Sequence, residues 1–246
     1  DGFLFVGRWL DLDMKNILAR GGIEIIAVFI GISGGLWSEK QIELKKTLKA
    51  EKTALKSIRD EFVSDSTSLY WIVNNIENEQ KEVLKLLKHI SGDTILTSKE
   101  LNALMFEMVY FSYLIYDKSI YESLIKEAGE KIIQEDSVSS SISSIYEATY
   151  KHLENIFDMQ KDLLATKTYD TFVESGGYLD TKRFSISESL NINQTEMFSL
   201  ALKNKKLVTQ ISFHYDTNFF ILNKYKWALN NVKATLGIID NYCDFN

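Results

Sequence analysis

Residues 44–90 read LKKTLKAEKTALKSIRDEFVSDSTSLYWIVNNIENEQKEVLKLLKHI, with apolar positions alternating three and four apart for nearly seven heptads. One register runs unbroken through Leu48, Leu55, Phe62, Leu69, Ile76, Val83 and Ile90. The other runs Leu44, Glu51, Ile58, Asp65, Ile72, Glu79, Leu86 and is acidic at every second position. Such a period keeps one stripe of a helix facing one partner, so the segment is expected to form a single long helix. At about 1.5 Å per residue it would reach roughly 70 Å as a stalk. Leu48, Leu55, Ile58, Phe62, Leu69, Ile72 and Ile76 then form a candidate oligomer seam. Acids in such a seam weaken pairing but fix register, and acids that face one another repel or share protons. A plainer reading puts the acidic turns on the solvent-facing edges of an ordinary amphipathic helix in a bundle.

Upstream, residues 21–37 read GGIEIIAVFIGISGGLW, the one stretch that clearly prefers lipid to water. Seventeen residues at about 1.5 Å of rise are just enough to cross a hydrocarbon core of about 30 Å. A transmembrane helix is therefore expected at 21–37, behind an interfacial segment at 1–20 that contains FLFVGRWL. Ala27, Gly31 and Gly35 recur at four-residue intervals, the small-residue spacing that lets a partner helix approach closely. Glu24 is an intramembrane acid, which is costly in lipid unless it meets a partner or pairs with Arg20 on the same face. Lys40, Lys45, Lys46 and Lys49 after the span outnumber Arg8, Lys15 and Arg20 before it. By charge count alone the C-terminal side would be cytoplasmic.

The 246 residues are 45% hydrophobic with a net charge of -6, enough apolar material for a sizeable core. Proline is absent, where average usage of about 5% would give about twelve, so long helices and few loops are expected. The mild acidity, without a concentrated basic face, argues against a nucleic-acid partner. A single cysteine, Cys243, excludes an intramolecular disulfide and a cysteine-rich metal site.

Downstream, Ser91, Gly92 and Asp93 end the long helix, and Thr97 with Glu100 forms a capping box for a buried helix through LNALMFEMVYFSYLIY. The run SVSSSISS at 137–144 reads as a loop leading into a helix at about 145–164. Ser175, Gly176 and Gly177 end a short helix, and Ser185 with Glu188 caps another. A last helix at about 195–242 carries Leu207, Ile211, Phe219, Leu222, Tyr225, Leu229, Val232 and Leu236 at helical spacing. The expected fold is all-α: an N-terminal transmembrane helix at 21–37, a long coiled-coil-like helix at 38–90, and an antiparallel helical bundle completed by 91–246.

Three blocks resemble an uncharacterised family of bacterial single-span inner-membrane proteins, catalogued as a domain of unknown function. They are EIIAVFIGI from Glu24 to Ile32, ATKTYDTFVESGGYLDT from Ala165 to Thr181, and ISFHYDTNFFILNKYKWALNNVKATLGIID from Ile211 to Asp240. The chain departs from the family pattern at Ser33, Gly34 and Gly35, where the family continues aliphatic and amide-rich. The resemblance implies a cytoplasmic N-terminus and a periplasmic helical domain, and it implies no activity.

No catalytic constellation accompanies these features. His89, His152 and His214 lie far apart, with no paired-ligand spacing, and read as surface or packing residues. Phosphate-binding glycine loops, a nucleophile elbow and a cysteine–base pair are all missing from the sequence. Glu107, in apolar surroundings, is expected to bond a core tyrosine such as Tyr110 or Tyr113. No cofactor is expected. The leading expectation is a non-enzymatic, membrane-anchored scaffold or accessory subunit, with membrane lipid and either a second copy or a larger membrane complex as partners. One alternative is an ion-conducting assembly with a Glu24 ring and a vestibule lined by Glu51, Asp65 and Glu79. Another is an extracytoplasmic bundle that senses a small ligand.

Overall fold

The computed structural model describes residues 3–109, 112–128, 132–177 and 199–243; along residues 3–27 it describes the helical backbone alone. Every regular element among the described residues is a helix. They are α1 (Phe3–Ser91), α2 (Ser98–Val109), α3 (Ser119–Ala128), α4 (Asp136–Ser144), α5 (Lys151–Gln160), α6 (Tyr169–Glu174) and α7 (Lys205–Cys243). Two π-helical turns, Ile145–Tyr150 and Lys161–Thr168, carry the chain from α4 through α5 into α6 without leaving helical conformation. The chain divides into two compact units, Asp1–Thr53 and Ala54–Asn246.

In the first unit α1 carries its apolar side chains uncovered. Val28, Phe29, Ile30, Ile32, Leu36, Trp37, Ile42, Leu44 and Leu48 are each between 47% and 71% exposed. Apart from neighbouring residues and the helix's own backbone, no described atom lies within 4 Å of where a Cβ on Gly31 or Gly35 would stand. Among the described residues no helix is long and apolar enough to cross a membrane. The side chains of residues 21–27, including Glu24 and Ala27, lie outside the described residues.

The second unit holds the core, and it corrects the oligomer seam. Leu55, Ile58, Phe62, Leu69, Ile72 and Ile76 are buried in one cluster with Ile142, Tyr146, Tyr150, Tyr225, Leu229 and Val232 of the same chain. The seam's partner from Leu55 onward is therefore intramolecular, and only Leu48 of the proposed set remains exposed. The acidic faults do not face solvent either: Glu51 and Asp65 are buried, and the Glu79 side chain is only 11% exposed. Three pairs tie α1 to α7: Arg59 Nε to Asp240 at 2.5 Å, Glu77 to Lys226 Nζ at 2.6 Å, and Glu79 to His214 Nε2 at 2.6 Å. Residue numbers rise along α1 as they fall along α7, so the two helices run in opposite directions where they touch. A second cluster joins Val83 and Leu86 of α1 to Leu101, Met105 and Met108 of α2, Phe172 of α6, and Leu207 and Ile211 of α7.

Two helix ends close as their sequences dictate. Gly92 takes a positive φ of 88°, with Asp93 N–H donating to Lys88 O at 2.9 Å and Gly92 N–H to His89 O at 3.1 Å. Gly176, at φ 85°, repeats the arrangement on α6, with Gly177 N–H donating to Phe172 O at 2.9 Å. Both are left-handed caps that satisfy terminal carbonyls, which glycine adopts at least cost. Thr97 and Glu100 complete their capping box reciprocally: Thr97 N–H donates to Glu100 Oε2 at 2.7 Å, and Glu100 N–H to Thr97 Oγ1 at 3.3 Å.

The serine-rich run is helix α4 rather than a loop, because Val138 and Ile142, four apart, are both buried. The Ser141 hydroxyl meanwhile donates to Ser137 O at 2.8 Å, so this serine's polarity is satisfied within the helix. Phe219, expected on the core face of the last helix, is 61% exposed. Ser185 and Glu188 lie outside the described residues.

Candidate functional site

Two carboxylates and two tyrosines meet inside the second unit. Glu61 and Asp65 sit one turn apart on α1, and Tyr146 and Tyr150 project from the first π-helical turn. Such turns are rare and frequently mark functional positions, since their wider winding re-aims side chains. Phe62 and Tyr146 have ring centroids 5.4 Å apart, Tyr121 stacks on Tyr146 at 4.3 Å, and Tyr116 packs on Tyr150 at 4.3 Å. The Tyr150 hydroxyl donates to Asp65 Oδ2. Burial raises Asp65 above the usual carboxylate range while this bond opposes the rise. The same burial, with the neighbouring Asp65 charge, raises the Tyr150 hydroxyl.

Glu61 is pushed up to about 7, by burial first and by the nearby charges of Asp65 and Asp117, with the Tyr146 hydroxyl opposing. Tyr146 nonetheless completes no hydrogen bond of ordinary geometry with it. Glu61 Oε1 and Oε2 and Tyr146 Oη are all buried without a partner. A buried polar group in that condition costs about 1–3 kcal/mol, which a proton on Glu61 reduces by removing the charge. Below about pH 7, then, Glu61 holds a proton in the core.

A cleft of about 420 Å³ adjoins this cluster, lined by Tyr113, Leu114, Ile115, Tyr116, Lys118, Leu153, Glu154, Phe157 and Tyr225. At its rim Tyr116 Oη donates to Glu154 Oε1 at 2.6 Å, and Lys118 Nζ lies 3.6 Å from the same oxygen and 5.1 Å from the Tyr116 ring centroid. The Tyr116 bond, helped by Lys118, holds Glu154 below the usual carboxylate range. Tyr116 and Glu154 in turn raise Lys118. Both rim groups are thus charged at neutral pH. Tyr225 is fully buried in the wall, pushed up to about 12 by burial. Its hydroxyl lies beside the Leu114 backbone but has no partner of ordinary geometry.

A second cleft of about 750 Å³ is lined by Trp71, Asn75, Glu79, Glu82, Ser112 and Tyr113, among others. Glu79 is backed there by the fully buried His214, whose Nδ1 has no partner, and Asn75 Nδ2 donates to Ser112 Oγ at 3.2 Å. His89 Nδ1 instead accepts from Leu96 N–H at 3.2 Å, and His152 stands edge-on to Trp227 with ring centroids 5.7 Å apart. Among the described residues no group of three ligating side chains could hold a metal ion.

Sequence reasoning singled out few of these positions. Asp65 and Glu79 stood in the heptad register as acids, but Glu61, Tyr116, Lys118 and Glu154 carried no periodic signal. Of the three acids of the heptad register, Asp65 and Glu79 are bonded to Tyr150 and His214, and Glu51 is buried. Glu107 and Tyr110 contribute no described side chain, and Tyr113 is half-exposed at the cleft. No protein family matches this chain, and neither a curated protein nor a solved structure shows significant similarity to it.

Proposed function

We propose that this chain is a non-enzymatic membrane-anchored protein that serves as a scaffold or accessory subunit of a bacterial inner-membrane complex. In this reading residues 21–37 span the bilayer, and an antiparallel helical bundle stands on the periplasmic side, the side implied by the family resemblance. The observation that carries it is the uncovered apolar run of α1. From Val28 to Leu48 nine large apolar side chains are exposed, and none of them belongs to a hydrophobic cluster among the described residues. Between Val28 and Trp37 these side chains cover a little more than half of the helix circumference, which suits lipid, while Gly31, Gly34 and Gly35 lie on the remaining face. Gly31 and Gly35, open at their Cβ positions, suit close approach of a second transmembrane helix. Association then rests on that face and on Leu44 and Leu48, since the seam beyond them is occupied internally. The test is cross-linking of the full chain in its membrane: wild type gives a dimer or higher band that Gly31→Leu removes. A strictly monomeric wild type would refute the association.

A second reading, a ligand-sensing bundle, is favoured by one observation: the aromatic cleft with its two-signed rim and unpartnered buried hydroxyl.

A further inference from the structure

The two hydrophobic clusters of the second unit are parted by a layer of buried polar side chains. Along α1 the buried members of the first cluster end at Ile76 and those of the second begin at Val83. Between them Glu79, 11% exposed in its side chain, meets His214 Nε2 at 2.6 Å. Along α7 the buried members of the second cluster end at Ile211 and those of the first resume at Ile221; the buried residues between are His214, Thr217 and Asn218. From Ile156 to Phe172 the described residues buried in between are Gln160, Thr168 and Thr171. His214 Nδ1, both amide atoms of Asn218 and Gln160 Oε1 have no hydrogen-bond partner among the described residues. An apolar core opens as one body because each side chain shares its contacts with the next. A polar layer interrupts that sharing, and its unpaired groups, which lack bonds when the layer is closed, gain water when it opens. The free energy of opening is therefore lowered along this layer.

We propose that the second cluster opens as a unit along this layer while the first stays folded. The moving part is α2, α6 and the adjoining ends of α1 and α7, at 80–91 and 205–213. The 750 Å³ cleft spans the same boundary: Ile76 of the first cluster, Leu104 of the second and Glu79 of the layer all line it. Each opening parts the walls of that cleft, so this end of the bundle acts as a jaw over it. The motion depends on neither the membrane anchor nor a ligand. The test is hydrogen exchange by mass spectrometry on the full chain in detergent micelles, for wild type, Met105→Ala and Asn218→Leu. In the wild type, amides at 80–91, 98–108, 169–174 and 205–213 are expected to share one opening equilibrium, at least about tenfold more open than that of 55–76, 138–156 and 221–239. Met105 is buried in the second cluster. Met105→Ala raises opening at least about tenfold in all the moving segments and leaves the others unchanged. Asn218→Leu removes the unpaired amide for an apolar group of like shape and lowers opening of the moving segments about tenfold. If Met105→Ala loosens α2 alone, the motion is local fraying; if it loosens every segment equally, the bundle is a single cooperative body. Either result overturns the proposal. So does an Asn218→Leu variant, folded by circular dichroism, that exchanges as wild type does.

Discussion

Glu61 lies one residue before Phe62 and four before Asp65, and its carboxylate is buried without a partner beside the Tyr146 ring. With its folded value raised to about 7, the group favours the folded state when protonated. Its contribution is fully present below the ordinary glutamate value and is lost as pH rises through about 7. Asp65, also raised, acts in the same direction. The melting temperature is therefore expected to fall between pH 5.5 and pH 8, and Glu61→Gln, neutral throughout, should flatten that fall and stabilise the protein at pH 8. Scanning calorimetry of both proteins at the two pH values checks this; a wild type more stable at pH 8 would contradict it. Tyr150→Phe leaves Asp65 buried without the Tyr150 bond and should cost about 1–3 kcal/mol in denaturant melts. Little of this cluster was legible beforehand. Asp65 was visible as an acid in an apolar register, but whether such an acid faces water or a tyrosine depends on which segment packs against it. Tyr150 comes from 85 residues away.

At the scale of elements, α1 was readable from its heptads and its end from Ser91, Gly92 and Asp93, because period and capping are local properties. What covers α1 was not. A 3.5-residue stripe is the same signal whether the partner is a second copy or the chain's own α7, and only the packed core distinguishes them. Helix α4 failed for the opposite reason: its serines drew attention from Val138 and Ile142, which alone decide its burial. Ile142→Ala is accordingly expected to cost about 2–5 kcal/mol, as for other buried large-to-small changes. Ser140→Ala, at an exposed position, should stay within about 0.5 kcal/mol. Urea titrations followed by circular dichroism measure both, and equal effects would mean that α4 is not packed as described. The cap of α6 gives a sharper case. A Cβ on Gly177 would overlap the buried Phe172 ring, so Gly177→Ala should destabilise by about 1–3 kcal/mol through overpacking.

For the whole molecule, the contrast between the two units carries the account. From Leu55 onward the apolar stripe of α1 is buried by its own chain; from Val28 to Leu48 it is left exposed. Exposed apolar side chains in such density suit contact with lipid or another protein, and the proposed function rests on that contact. The most direct measurement is alkaline carbonate extraction of membranes from cells expressing the full chain, alongside an Ile30→Lys, Ile32→Lys variant. The account predicts that the wild type remains in the membrane pellet and that the variant, its helical bundle intact by circular dichroism, is released into the supernatant. Recovery of the wild-type protein in the supernatant would contradict it.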